Sequence, residues 1–242
     1  MLLDDAAQRV LVVVAHPDDA DFWVGGTVAR WTGAGVEVSY CVLTDGEGAV
    51  VDRRIPWHEV GGLRRSEQQR AAALLGVKTV RFLGLREDGV GSDPHGVREE
   101  LVRVVRDVRP DRVVTWSPES GWRRFLSRHP DHVATGAAVL TAVCPAASGA
   151  SAQADAGDNE GPGPWAVQEV WLFDSSRRKV NYYVDITETF DRKVAAVRAH
   201  VSQIRNPDQL ADRLRRRIAP NTAAAGSAAG RLAEAFQVLL TG

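Results

Sequence analysis

From Val10 to Ala15 the chain is continuously apolar and mostly valine. Such a run predicts a strand buried on both faces, as in a parallel sheet. A polar break, His16-Pro17-Asp18-Asp19, follows it. Phe22 to Trp31 then carries a helical pattern that stops near Gly33 and Gly35. Val36 to Leu43 predicts a second strand, and Thr44-Asp45-Gly46-Glu47-Gly48 a loop. Leu63 to Leu75 is helical up to Gly76, and Thr79 to Leu83 predicts a short third strand. Val97, Leu101, Val104, Val105 and Val108 form one helical stripe. Arg112 to Trp116 predicts a fourth strand and His132 to Val143 a helix. Val170 to Phe173 and Asn181 to Ile186 read as strands, and Phe190 to Ile204 and Ala233 to Leu240 as helices.

Strand and helix patterns thus alternate from the start, which predicts βαβ units. The expected fold is α/β, a Rossmann-like three-layer arrangement with a mainly parallel sheet and a small C-terminal strand/helix lobe. The chain reads as one domain over 1–242. Pro145 to Pro164 is rich in Ala, Ser, Gly, Pro and Asp without periodicity, and is expected to be a mobile surface insertion. Asn221 to Gly230 is a similar, shorter stretch.

Composition narrows the function classes. The 242 residues carry 30 Lys+Arg against 31 Asp+Glu, a formal net charge of -1. That balance argues against a nucleic-acid binder, which needs a basic surplus on one face. No apolar run reaches the ~20 residues of a membrane span. Met1 to Arg9 lacks the apolar segment of a secretory signal. With only Cys41 and Cys144, no disulfide framework is expected, and a cytoplasmic protein is the simplest expectation.

In an open α/β sheet ligands bind beyond the carboxyl ends of the strands. After the first strand, where a dinucleotide binder places a G-x-G-x-x-G fingerprint, this chain has His16, Asp18 and Asp19. Gly25 and Gly26 come too late for that role and are expected to let the helix approach its neighbours. An imidazole and two carboxylates within four residues suit zinc or a similar ion, although either aspartate alone would serve as a helix N-cap. A related cluster, His129-Pro130-Asp131-His132, stands at another predicted loop-helix junction. Proline fits the first helical turn and biases the residue before it away from helical dihedrals. His129 then lies in the loop and His132 on the first turn above it. His16, Asp19 and His132 would complete a three-ligand catalytic site with one open position.

These residues resemble a known family. AHPDDAD at 15–21, Gly25-Gly26, TDGEG at 44–48 and HPDHVATG at 129–136 are similar to the LmbE/PIG-L-like N-acetylglucosaminyl deacetylases. The resemblance covers the chain from Val10 to about Lys193. It implies His16, Asp19 and His132 as metal ligands, Asp18 as general base, and His129 as the group that polarises or protonates at the tetrahedral stage. It implies Arg64, Asp88 and Glu47 as contacts to the sugar. The implied reaction is zinc-dependent removal of an acetyl group from an N-acetylated amino sugar or glycoside. Ferrous iron would accept the same ligands. Oligomers are common in the family, so a homo-oligomer is possible, and the partner expected is a small amino-sugar substrate rather than nucleic acid or membrane. The family commonly has Glu where this chain has Asp21, so a bond from that position to a metal ligand is expected to be rearranged.

Two alternatives stand beside this reading: an amidase cleaving a larger acyl group, and a non-catalytic sugar- or nucleotide-binding module on the same fold. The basic and aromatic stretch Gly121-Trp122-Arg123-Arg124-Phe125, with Arg128, is expected over the cleft, either against substrate or as a solvated loop. Cys41 reads as a core residue, and Arg215-Arg216-Arg217 as a solvated helix face.

Overall fold

Valine-rich β1 (Arg9–Val14) is buried along almost its whole length. Its alternate side chains feed two apolar layers. Val10, Val12 and Val14 enter one core, and Leu11 and Val13 enter the other. A strand that loses water on both faces must be flanked by strands on both edges and by helices above and below. The computed structural model, which describes residues 7–48, 54–119, 129–147, 163–226 and 230–241, shows this arrangement.

Among these residues, β1 is followed by α1 (Asp19–Gly33), β2 (Glu37–Thr44), α2 (Trp57–Leu74), β3 (Thr79–Leu85), α3 (Pro94–Val108), β4 (Arg112–Trp116) and α4 (Pro130–Thr141). Then come β5 (Glu169–Phe173), β6 (Tyr182–Asp185), α5 (Phe190–Arg198), α6 (Leu210–Ala224) and β7 (Ala233–Leu240). One seven-stranded sheet runs β3-β2-β1-β4-β5-β7-β6. The first five strands in that order are parallel, and β7 is antiparallel to both β5 and β6. The fold is therefore α/β with a mainly parallel sheet, and the C-terminal elements complete its edge. Buried residues of α1, α5 and α6 pack on one face, and those of α3 and α4 on the other.

Three expectations change. Ala233–Leu240 is a strand, although Ala-Glu-Ala-Phe-Gln favours a helix locally. Pairing with β5 and β6 outweighs that propensity, because it buries Phe236 and Val238 in the core. The helix from Phe190 ends at Arg198 instead of Ile204, giving way to a short 3-10 turn at Val201–Gln203. Asn221 to Ala224 belongs to α6, whose buried stripe Leu210, Leu214 and Ile218 outweighs the internal Pro220. Residues 148–162 of the expected insertion and 120–128 of the aromatic stretch lie outside the described residues.

The chain leaves β1 and enters α1 on one side of the sheet, and leaves β4 towards α4 on the other. The crevice between the ends of β1 and β4 is thus the topological switch point, where open α/β sheets bind ligands. Close approach of α4 to β4 depends on Gly136. A Cβ there would lie 2.3 Å from the carbonyl oxygen of Trp116. Backbone cannot yield as a side-chain tip does, so Gly136→Ala is expected to destabilise the protein by about 1–3 kcal/mol. The check is urea unfolding, with a lower midpoint at unchanged slope.

Candidate metal centre

The turn after β1 closes on itself. The His16 N–H donates to Asp19 Oδ2 at 2.9 Å. From the end of β4, Trp116 Nε1 donates to the same oxygen at 3.3 Å. Two donors therefore hold Oδ2, while Oδ1 lies 3.3 Å from His132 Nε2. Trp116 also stacks on the His132 ring, with centroids 3.7 Å apart and planes at 11°. One strand-end tryptophan thus orients groups from both motifs.

His132 stands on the first turn of α4, as Pro130 predicts. His129 is the N-cap with an extended ψ of 134°, and its Nδ1 accepts the Asp131 N–H at 3.3 Å. His16 Nδ1 comes 3.2 Å from His132 Nε2 and 3.6 Å from Asp19 Oδ2. Donor atoms of His16, Asp19 and His132 all lie within 4.8 Å of one another. A tetrahedral zinc with bonds near 2.0–2.2 Å separates its donors by about 3.4 Å. Two imidazole nitrogens facing each other share at most one proton, whereas a cation satisfies both together with the carboxylate. Geometry and donor chemistry therefore fit a divalent metal on these side chains.

The far side of His16 meets Asp131. His16 Nε2 lies 3.4 Å from Asp131 Oδ2, and Asp131 accepts the N–H groups of Asp88 at 2.8 Å and Val90 at 3.3 Å. A carboxylate behind a ligand histidine fixes its tautomer and makes it more basic. Burial works against charge on His16, but Asp131 and Asp19 outweigh it and push its pKa up to about 10. Burial likewise opposes the Asp19 carboxylate, yet His132 and His16 hold it well below the usual range.

Asp18 plays no capping part. It sits at the N-cap of α1 with φ 93°, and its side chain makes no cap hydrogen bond. Its carboxyl is 28% exposed and 3.4 Å from Arg64 Nη2. Burial raises its pKa, with Arg64 opposing. Arg64 is buried; it donates to Gly46 O at 2.5 Å and Pro17 O at 2.7 Å, which ties the loop after β2 to the loop after β1.

His129 is half-buried, with its ring centroid 4.6 Å from that of His16 and its Nε2 3.6 Å from Asp88 Oδ1. The Asp88 side chain is 77% exposed. Glu47 Oε1 accepts the Glu87 N–H at 3.1 Å, and its Oε2 has no hydrogen-bond partner among the described residues. All eight residues singled out in the sequence therefore gather around the ends of β1, β2, β3 and β4.

Asp21 is engaged away from the candidate ligands. Its carboxylate accepts from Gln68, His200 and Tyr40 rather than from a metal ligand. Sequence reasoning also missed Asp131 and Trp116. Asp131 lies inside the HPDH motif, and Trp116 ends a predicted strand at the ligand-binding edge, so both carried a positional signal. His200, distant in sequence, carried none.

The family model described as PIG-L: GlcNAc-PI de-N-acetylase matches residues 11–143. Diacetylchitobiose deacetylase of Thermococcus kodakarensis is 34% identical over 199 residues, covering 81% of this chain and 70% of that protein. The 1D-myo-inositol 2-acetamido-2-deoxy-alpha-D-glucopyranoside deacetylase of Mycobacterium sp. (strain JLS) is 30% identical, covering 84% of this chain and 76% of that protein. Among solved structures, N,N'-diacetylchitobiose deacetylase from Pyrococcus horikoshii, complexed with its inhibitor MPG, superposes with a TM-score of 0.83. It is 30% identical, with 99% of this chain and 86% of that chain covered.

Asp131→Asn is expected to weaken zinc binding about 10–100-fold, measured by competition with a chromophoric chelator. A ligand imidazole must be neutral, whereas His16 with a pKa of about 10 is protonated at pH 8 in the metal-free protein. Zinc binding at pH 8 is therefore expected to release about one proton per ion. Calorimetry in buffers of different ionisation enthalpy reads that number, and no release would mean that His16 starts neutral.

Proposed function

Since the chain belongs to the PIG-L: GlcNAc-PI de-N-acetylase family, we propose that it is a metal-dependent amide hydrolase, with the whole chain 1–242 as one catalytic domain. Its substrate is an N-acetylated amino sugar or glycoside of the N-acetylglucosamine type, and its products are acetate and the free amine. The observation that carries this reading is the His16, Asp19 and His132 donor set with the carboxyl of Asp18, which makes no cap hydrogen bond, next to it in the chain. A pure binding module has no need of a base next to a metal.

His16, Asp19 and His132 would hold the cation, zinc by preference and ferrous iron as the alternative. When bound, a divalent cation supplies Lewis-acid polarisation of the acetamide carbonyl and acidifies a water molecule. Asp18 accepts the proton of the attacking water. Its raised pKa brings it closer to the operating pH, where general-base catalysis is most effective. The new C–O bond converts the amide carbon to a tetrahedral centre. His129, whose ring lies 4.6 Å from that of His16 and 5.5 Å from that of His132, donates to the developing oxyanion or to the departing nitrogen as the C–N bond breaks. Asp131 keeps His16 oriented throughout.

Asp88, exposed at the mouth, and Glu47 are assigned as contacts to sugar hydroxyls; the unpartnered oxygen of Glu47 is itself shielded from solvent. Arg64 is committed to Gly46, Pro17 and Asp18, so its effect on the sugar runs through the position of Asp18. No described helix is long and apolar enough to cross a membrane.

The test is amine release from a panel of N-acetylglucosamine glycosides. Activity is expected to vanish on chelation and return with zinc or ferrous iron. Asp18→Asn is expected to keep its metal and lose about 10²–10⁴-fold in kcat. No amine from any glycoside by the metal-loaded protein would defeat the proposal.

A further inference from the structure

A non-glycine residue with φ 93° must be held there by its surroundings. At Asp18 the holding contact is a side chain of α2. Gln68 Oε1 accepts the Asp18 N–H at 2.8 Å. The donor is a peptide N–H, so Gln68 must present its oxygen to Asp18 and its amide NH2 the other way. That NH2 donates to Asp21 Oδ2 at 2.8 Å, and His200 Nε2 meets the same oxygen at 2.8 Å. Tyr40 donates to the other oxygen of Asp21 at 3.4 Å. Gln68, Asp21, His200 and Tyr40 are all buried. An isolated glutamine flips its amide freely, but here two acceptor and donor requirements at opposite ends permit only one orientation.

The same helix face grips Asp18 twice. Arg64, one turn before Gln68, lies against the Asp18 carboxyl and the Pro17 carbonyl, while Gln68 takes the Asp18 N–H. Adjacent Glu67 accepts from the N–H and hydroxyl of Ser202, which clamps the His200 loop to α2.

We propose that Gln68 is a positioning residue for Asp18, anchored by the Asp21–His200 pair, so that the loop between α5 and α6 sets the aim of the carboxyl beside the metal centre. The inference rests on Asp18 acting as the base. Gln68 touches neither substrate nor metal; it keeps the Asp18 peptide turned so that its carboxyl is not spent on capping α1. Aiming errors of this kind reduce turnover much more than binding.

The experiment compares Gln68→Met, which keeps length without polar groups, with His200→Leu and His200→Gln. In Gln68→Met, kcat on an N-acetylglucosamine glycoside is expected to fall at least about tenfold, with KM within about twofold and zinc content unchanged. In the zinc-free protein, hydrogen exchange at the Asp18 amide, read by NMR, is expected to accelerate about tenfold or more. His200→Leu is expected to move both readouts the same way. His200→Gln, which can still donate to Asp21, is expected to recover them. A folded Gln68→Met protein with unchanged kcat and unchanged Asp18 exchange overturns the inference. Should Gln68→Met fail to fold, the His200 pair decides: a loss in the leucine variant reversed in the glutamine variant supports it, and equal values overturn it. Asp18→Asn measured alongside separates the two claims. If it is inactive while Gln68→Met is fully active, only the positioning role falls. If zinc-loaded Asp18→Asn is fully active, the base assignment falls and this inference with it.

Discussion

Two imidazole nitrogens, one from the turn after β1 and one from the start of α4, meet at 3.2 Å in a mostly buried crevice. Bringing them together costs solvation of both rings and of the Asp19 carboxylate. The fold offsets that cost with directed contacts. Trp116 stacks on His132 and donates to Asp19, and Asp131 stands behind His16. Each donor is therefore oriented before any ligand arrives. Preorganisation of this kind is what allows a metal centre to act without first rearranging its own side chains.

The charges around that centre form a graded set rather than a uniform acidic patch. Asp19 and Asp131 are held ionised by the histidines they face. Asp18, their neighbour in sequence or space, is pushed the other way by burial, and Arg64 only partly opposes the push. Carboxyls driven apart in pKa by their environments are suited to different tasks: one to hold a cation and one to exchange a proton. The left-handed backbone at Asp18 underlies the division. With that backbone the carboxyl makes no helix-cap hydrogen bond and lies against Arg64 instead.

The parallel half of the sheet was legible because its signals are local. Val10 to Val14 can only be a strand buried on both faces, and the glycines and prolines between elements mark the turns. The candidate metal donors could be singled out for a related reason. His16 and Asp19 are three residues apart, and His129 and His132 flank a proline that sets the helix start, so short-range stereochemistry reveals each half of the site. The last strand was not legible. Ala233–Leu240 carries a helical composition, and its state depends on pairing between β5 and β6, the nearer end of β5 lying 60 residues back along the chain. The Asp21–His200 contact is equally opaque, since 179 residues separate its partners and His200 lies in no motif.

What the chain alone determined was an alternating α/β order, the residue types of a candidate metal site and their place after the first and fourth strands. These follow from side-chain periodicity and from the dihedral limits of proline and glycine, which act over a few residues. What only the tertiary structure decided was orientation: which nitrogen of His16 faces His132, that Asp131 stands behind it, and that Gln68 turns Asp18 away from its helix. Orientation is a property of packed neighbours distant in sequence, because a hydrogen bond has a direction that no single segment of chain can set by itself.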